Sequence, residues 1–402
     1  MVKVVEADIV IIGGGIAGLW MLNRLRDLGL TCILFEASAL GGGQTFKSQG
    51  IIHGGVKYAL QGTVTNAAQT IADMPRVWKS CLAGNGDIDL TNVPILASEQ
   101  HLWSTSKLTA KLAGFFAGMA LNNSVKSIER SDYPAIFQHP QFKGEVFALD
   151  EMVLDVPSLV CQLAKPHQDA LFKMMAFDES SIHVDAQTGG VEALEIQTIA
   201  GETVRVVAQR FVFAAGAGNE MILRKLQEPN VAMQRRPLHM LLVKTGFDLP
   251  LYAHCLGLGT VPRLTITTHK TYDGQSVWYV GGQIAEEGIG RSSEAQIQVA
   301  RNELQNVFPW LDFRAAKFTS FMIDRAEPMQ LNGQRPDGVF AKTIGNAVIA
   351  WPTKLALVPK LADEVVQLLR KDQVKHALYD THYLFSWPMP PFARPVWDEM
   401  LC

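Results

Sequence analysis

The stretch Ala7-Asp8-Ile9-Val10-Ile11-Ile12-Gly13-Gly14-Gly15-Ile16-Ala17-Gly18 decides how this chain folds. Ile9-Val10-Ile11-Ile12 reads as a buried strand, and a helical pattern follows over 16–28. Gly13, Gly15 and Gly18 fit G-x-G-x-x-G in the setting that motif requires, behind a strand and opening a helix. Gly13 permits the tight turn, Gly15 lets a pyrophosphate approach the backbone, and Gly18 lets the helix pack on the strand. The helix start adds N–H groups and the positive end of a dipole. A second strand over 32–35 closes on Glu36, where a carboxylate accepts from ribose hydroxyls. A glycine-rich turn in some other α/β protein would not need strand, helix and acid in register, so we expect a bound dinucleotide.

A chain of 402 residues is longer than one ordinary domain and predicts two. Its net charge of −3 argues against a nucleic-acid surface. The five cysteines, Cys32, Cys81, Cys161, Cys255 and Cys402, are scattered and form no C-x-x-C pair. That pattern fits a reducing compartment without a disulfide frame. Glycine interrupts the first apolar run too soon for a signal peptide, and no run reaches bilayer length. The longest, over 112–121, reads either as a buried helix or as an apolar face lying on a membrane or partner. The expected location is the cytoplasm, free or peripheral on the inner membrane face.

Beyond Glu36 runs Gly41-Gly42-Gly43-Gln44-Thr45-Phe46-Lys47-Ser48-Gln49-Gly50-Ile51-Ile52-His53-Gly54-Gly55. So many positions without a Cβ suit a segment running close along a cofactor, with Thr45 and Ser48 able to hydrogen-bond it. His53 has three readings: a satisfied buried histidine, a residue lining the cofactor or substrate site, or a point of covalent attachment. A helix is expected over 67–82, and strand-like pieces at 92–97 and 100–104 open a first pass through a second domain, 82–144. A helix over 150–163, entered at Asp155-Val156-Pro157-Ser158, returns the chain to the first domain. Strands follow at 182–184, 191–198 and 203–208. Arg210-Phe211-Val212-Phe213-Ala214-Ala215-Gly216 is a strand ending in small residues, as beneath a dinucleotide; Ala215 and Gly216 are the candidates for contact.

The region 229–322 alternates in β fashion, with a helix at 293–307, and forms the second pass through the outer domain. His239, His254 and His269 lie there without metal-site spacing and read as structural, and no metal is expected. Residues 323–402 come back with a strand at 347–350, a helix from Trp351 to Leu369 and a tail that packs on the surface or on a partner. H-E-x-x-H and G-x-S-x-G are both absent. The fold class is α/β: a discontinuous Rossmann-like domain from 1–81, 145–228 and 323–402, with a mixed-sheet α+β substrate domain from 82–144 and 229–322.

Three features favour FAD over NAD. The glycine-rich loop follows the second strand directly, a small-residue strand end recurs at 214–216, and the return at 345–358 offers a second helix start. That start could stabilise negative charge at the pyrimidine end of a reduced flavin. A second G-x-G-x-x-G is missing, so electrons are expected from a substrate lying against the flavin.

On these residues the sequence resembles the superfamily of glycine oxidase, D-amino-acid oxidase, sarcosine oxidase and flavin-dependent glycerol-3-phosphate dehydrogenase. Ile51-Ile52-His53-Gly54-Gly55-Val56-Lys57-Tyr58 is similar to the I-H-G-G-x-R-Y segment of its glycerol-phosphate and 2-hydroxyglutarate branches. The resemblance implies an FAD domain of the glutathione-reductase type and hydride removal from a carbon bearing an amine or hydroxyl. It places Gly13, Gly15, Gly18 and Glu36 on the ADP half. Gln44, Thr45, Ser48, Gln49 and Gly50 would follow the ribityl chain and ring, and Pro352, Thr353, Lys354 and Leu355 would meet the pyrimidine edge. Lys354 either raises the flavin potential there or is a solvated helix-start lysine.

One departure concerns the substrate. Where the family's amino-acid oxidases carry a carboxylate-binding arginine before a proline, this chain has Glu327-Pro328, with Arg325 two residues earlier. Arg325 takes over the carboxylate, or pairs with Glu327, or Glu327 recognises an amine. His53, Arg325, Glu327 and Lys354 are the candidate catalytic residues. The leading expectation is an FAD-dependent oxidoreductase acting on C–N or C–OH bonds of a small metabolite, with dioxygen or quinone as electron acceptor. Its rivals are a flavin subunit of a larger or membrane-docked complex, and a non-catalytic FAD scaffold.

Overall fold

From Ala7 onward the strand Lys3–Ile12 is buried at every residue, because it lies between two parallel neighbours. The computed structural model describes residues 2–54, 66–105, 125–257, 261–331 and 333–402. Cys32–Glu36 pairs on one side of the first strand and Thr203–Phe213 on the other. Leu171–Lys173 extends the sheet beyond Cys32–Glu36. Ala347–Trp351 pairs in parallel with the end of Thr203–Phe213, so the C-terminal region does return to the first sheet. Helices Ile16–Asp27, Val156–Ala164 and Val358–Lys371 cover one face through Leu19, Trp20, Leu163 and Val365.

A second sheet of eight strands runs from Lys317–Pro328 through Met233–Lys244, Ser276–Gly281, Leu264–Lys270, Ala253–Cys255, Gln100–Trp103 and Val146–Leu149 to Val125–Ser127. All of its pairings are antiparallel except that of Ala253–Cys255 with Gln100–Trp103, so the sheet is mixed, as expected. Ser293–Val307 packs on it through Ala300 and Leu304, against Trp278 and Phe308. A short sheet of Ile51–Ile52, Met152–Leu154 and Ile95–Ala97 carries the glycine-rich loop toward the second sheet.

Several expected boundaries move, each for a pairing reason. The strands read at 203–208 and 210–213 are one, Thr203–Phe213, because Lys3–Ile12 pairs along nearly all of it. Residues 150–163 are not one helix: Met152–Leu154 pairs as a strand, and Asp155 then caps the helix Val156–Ala164 by accepting from the Ser158 N–H at 3.0 Å. Val146–Leu149 belongs to the second sheet, past the expected change at 144. Lys317–Pro328 pairs with Met233–Lys244 along its whole length, past the expected change at 322. The last helix starts at Val358 rather than Trp351, after a 3₁₀ turn at Leu355–Leu357. Thr353, at φ 60°, cannot continue a right-handed helix.

The tail packs on its own chain. Trp387 sits 6.1 Å from Phe35 and Trp397 stacks 4.1 Å from His269. The apolar stretch at 112–121 lies outside the described residues. No helix among the described residues is long and apolar enough to cross a membrane.

Candidate active site

Gly13 turns at φ 114°, and a Cβ there would stand 2.6 Å from the Ala214 carbonyl oxygen. The first turn and the small-residue strand end are therefore pressed together, and only glycine fits. A Cβ on Gly18 would lie 1.9 Å from the Gly13 oxygen, so its task is close packing, and it does not line the cleft. The Gly14 N–H donates to Glu36 Oε2 at 2.6 Å, and the Ser38 N–H donates to Oε1 at 2.6 Å. Thr45 Oγ1 accepts from the Ile16 N–H at 3.1 Å, tying the glycine-rich loop to the helix start.

A cleft of about 690 Å³ opens above these groups. Gly13, Gly15 and Glu36 line it from the strand ends of the first sheet, and Gln44, Thr45, Ser48 and Gln49 from the loop. Ala215 and Gly216 line it from the strand end, and Pro352, Thr353, Lys354 and Leu355 from the return. His53 and Arg325 also face it. Gly50 does not: at φ 73°, with a Cβ that would meet the Leu154 oxygen at 2.3 Å, it serves the turn into Ile51–Ile52. The Gln49 amide points into the second sheet, donating to the Tyr279 oxygen at 2.8 Å and the Thr265 oxygen at 3.2 Å. Tyr279 Oη donates in return to the Lys47 oxygen at 2.6 Å.

Glu327 is buried and does not line the cleft. Its partner is Arg236, whose Nη1 stands 3.4 Å from Glu327 Oε1, so the pair is not Arg325 with Glu327. Arg325 Nε donates to the Arg236 backbone oxygen at 3.0 Å. Burial, and then Arg236 and Arg335, bring the Arg325 guanidinium down to about 10. Arg335 also lines the cleft, as do Leu238, Met240 and Ile323. No sequence motif marks any of these four. Leu238, Met240 and Ile323 follow ordinary strand alternation, and Arg335 lies in a turn with no motif around it.

Lys354 is 7% exposed, with Nζ donating to the Asp337 oxygen at 3.1 Å and the Pro336 oxygen at 3.4 Å. It is not a solvated helix-start lysine. Burial, followed by Arg335, pushes its ammonium down to about 7. His53 Nδ1 lies 3.1 Å from Glu151 Oε2, and the same oxygen is 3.7 Å from His254 Nε2. Their three donor atoms fall within 4.8 Å of one another, a grouping hidden in the sequence by about a hundred residues between each member and the next. His239 is structural, with Nδ1 2.9 Å from the Gly288 oxygen and Nε2 2.9 Å from Ser320 Oγ.

The cleft fits FAD. Its glycine turn admits no Cβ, and Ser48 Oγ is buried on its wall without a hydrogen-bond partner among the described residues. The family model DAO, FAD dependent oxidoreductase, matches residues 8–345. The chain belongs to this family. The Pseudomonas aeruginosa protein named Probable FAD-dependent oxidoreductase PA4991 is 45% identical over 399 residues, 99% of each chain. The crystal structure of PA4991 covers 100% of both chains with a TM-score of 0.85 and 41% identity. Glycine oxidase from Geobacillus kaustophilus shares the fold at a TM-score of 0.60 and 15% identity, covering 96% of this chain and 99% of its own.

As a DAO-family protein, the chain is an FAD-dependent oxidoreductase. Bound FAD supplies the two-electron acceptor; the chain supplies binding, orientation and charge. We expect Glu36→Ala to weaken FAD binding by roughly 10- to 100-fold, as charged hydrogen bonds are worth about 1.5–3 kcal/mol. Titration of the apoprotein with FAD, followed by flavin fluorescence, measures it.

Proposed function

We propose that the cleft oxidises a small carboxylic acid at a carbon bearing an amine or a hydroxyl group. The observation that carries this is the pair Arg325 and Arg335. Both residues line the cleft, and neither has a carboxylate partner among the described residues. Two cations on one wall, Arg325 half-buried and Arg335 exposed, favour an anion, and planar guanidinium groups favour a carboxylate held in two-point fashion. Leu238, Met240 and Ile323 give the substrate an apolar surface to lie on.

Removing a hydride from the carbon requires that the proton on its nitrogen or oxygen be taken up. His53 is the imidazole on the cleft wall, and we assign it that proton. The acceptor that reoxidises the flavin is dioxygen or a quinone.

The test is anaerobic mixing of the holoenzyme with matched pairs: amino acids and hydroxy acids, and the primary amides of each. The acids are expected to bleach the flavin band, and the amides to do so at least tenfold more slowly. Equal bleaching by amides or neutral polyols overturns the carboxylate reading. Following reoxidation under air, then with a soluble quinone, identifies the acceptor.

A further inference from the structure

Glu151 lies between the strands Val146–Leu149 and Met152–Leu154 and is 2% exposed. Both of its oxygens are engaged. Oε1 accepts from the Gly54 N–H at 2.9 Å, while Oε2 faces His53 Nδ1 at 3.1 Å and His254 Nε2 at 3.7 Å. Behind it, His254 Nδ1 stands 2.9 Å from Thr265 Oγ1. The two imidazoles stack across the carboxylate with centroids 6.1 Å apart and planes at 26°. Burial works against ionisation of Glu151, but His53 and His254 outweigh it and hold its carboxyl well below the usual carboxylate range. An ionised carboxylate only accepts. His53 Nδ1 must therefore carry the proton of that bond, which puts the electron pair of the neutral ring on Nε2.

We propose that Glu151, braced by His254, is a positioning residue that fixes the tautomer of His53 and raises its proton affinity. The proposal rests on the reading of His53 as the proton acceptor. The O–H or N–H bond of the substrate breaks, its proton bonds to His53 Nε2, and the ring becomes an imidazolium. The C–H pair leaves as hydride, for which FAD, when bound, would be the acceptor, and the carbon is left doubly bonded to its oxygen or nitrogen. The buried carboxylate beside Nδ1 stabilises the positive ring without moving, much as a fixed dipole would.

The other charges around His53 do not replace Glu151. Lys354 shares the cleft and carries the opposite sign. On the neighbouring helix Asn66–Leu82, Lys79 pairs with Asp150 at 2.6 Å, and Asp73 and Arg76 are exposed.

The test uses the holoenzyme and the substrate found in the bleaching screen. Glu151→Gln is expected to lower kcat about 10²-fold with FAD content unchanged. The acidic limb of the kcat/KM profile moves to lower pH, because His53 binds its proton less tightly once the negative charge is gone. Nitrogen-15 NMR of labelled histidines gives a readout apart from turnover. The wild-type enzyme should show a low-field Nδ1 proton, assigned to His53 by its loss in His53→Gln. Glu151→Gln removes that signal and lowers the His53 titration midpoint; His254→Gln shifts the midpoint less.

A His53 titration unchanged in both variants overturns the proposal, and so does a wild-type enzyme lacking the low-field signal, should Glu151→Gln fail to fold. One divalent metal ion per chain, lost in Glu151→Gln, also overturns it, since the three groups would then be ligands. If His53→Gln leaves kcat intact while Glu151→Gln still shifts the His53 titration, the proton-acceptor reading falls and the positioning role stands.

Discussion

Arg325→Gln is expected to lower kcat/KM for the acid substrate by roughly 10²- to 10³-fold, with FAD content unchanged. Truncating one side of a desolvated, hydrogen-bonded charge pair costs about 2–5 kcal/mol, and each factor of ten is about 1.4 kcal/mol. Arg325 meets the conditions for a large effect. It is half-buried, its Nε is fixed on the Arg236 oxygen, and burial, followed by the nearby Arg236 and Arg335, pushes its guanidinium down to about 10. At neutral pH it is still a cation, held among other cations, and an incoming carboxylate relieves that crowding.

Arg335 is exposed, so water screens it, and Arg335→Gln should cost about tenfold and depend more strongly on salt. Steady-state kinetics of both variants at two ionic strengths decides the matter. A larger loss in Arg335→Gln would reverse the assignment. A loss no greater for the acid than for its amide would remove carboxylate recognition from Arg325 altogether.

The same strand shows where sequence reading ends. Arg325 and Glu327 are two apart in an extended segment and so share a face, which suggested that they pair. The structure sets Met233–Lys244 alongside, with Arg236 directly opposite Arg325 and Gln234 opposite Glu327. Arg236 lies diagonally across from Glu327, within reach of a long side chain, and its Nη1 stands 3.4 Å from Oε1, while Arg325 Nε is turned onto the Arg236 backbone oxygen. No local pattern gives the register of strands about ninety residues apart.

The turn at Gly13 was legible for the opposite reason. Its constraint is local, since strand, glycines and helix are consecutive, and a Cβ at either Gly13 or Gly18 meets backbone. His53, Glu151 and His254 sit between these cases. Each carries an ordinary local reading, on a loop, in a turn and on a strand, and only the packing of the short sheet against the second sheet brings them together.

Lys354→Met is expected to stabilise the apoprotein at pH 7 by about 4 kcal/mol while lowering the midpoint potential of the bound flavin. The ammonium is held at about 7 in the folded chain, against 10.5 for an ordinary lysine. The unfolded chain thus binds the proton more tightly, and folded stability falls as pH drops from about 10.5 toward 7, then levels off. Methionine is unbranched and apolar, fills a similar volume and carries no such cost. The variant and wild-type stabilities should therefore converge above pH 10.5 and diverge toward pH 7.

Urea unfolding of the apoproteins between pH 6 and pH 10 measures the divergence. A variant less stable than wild type at pH 7 would mean that the bonds to the Pro336 and Asp337 oxygens outweigh burial. Bound FAD brings negative charge near a lysine that lines the same cleft, so the gap between the holoproteins should be smaller than between the apoproteins. A charge that costs stability in the empty cleft and recovers it only when the cleft is filled is what a residue kept for its effect on the flavin should show.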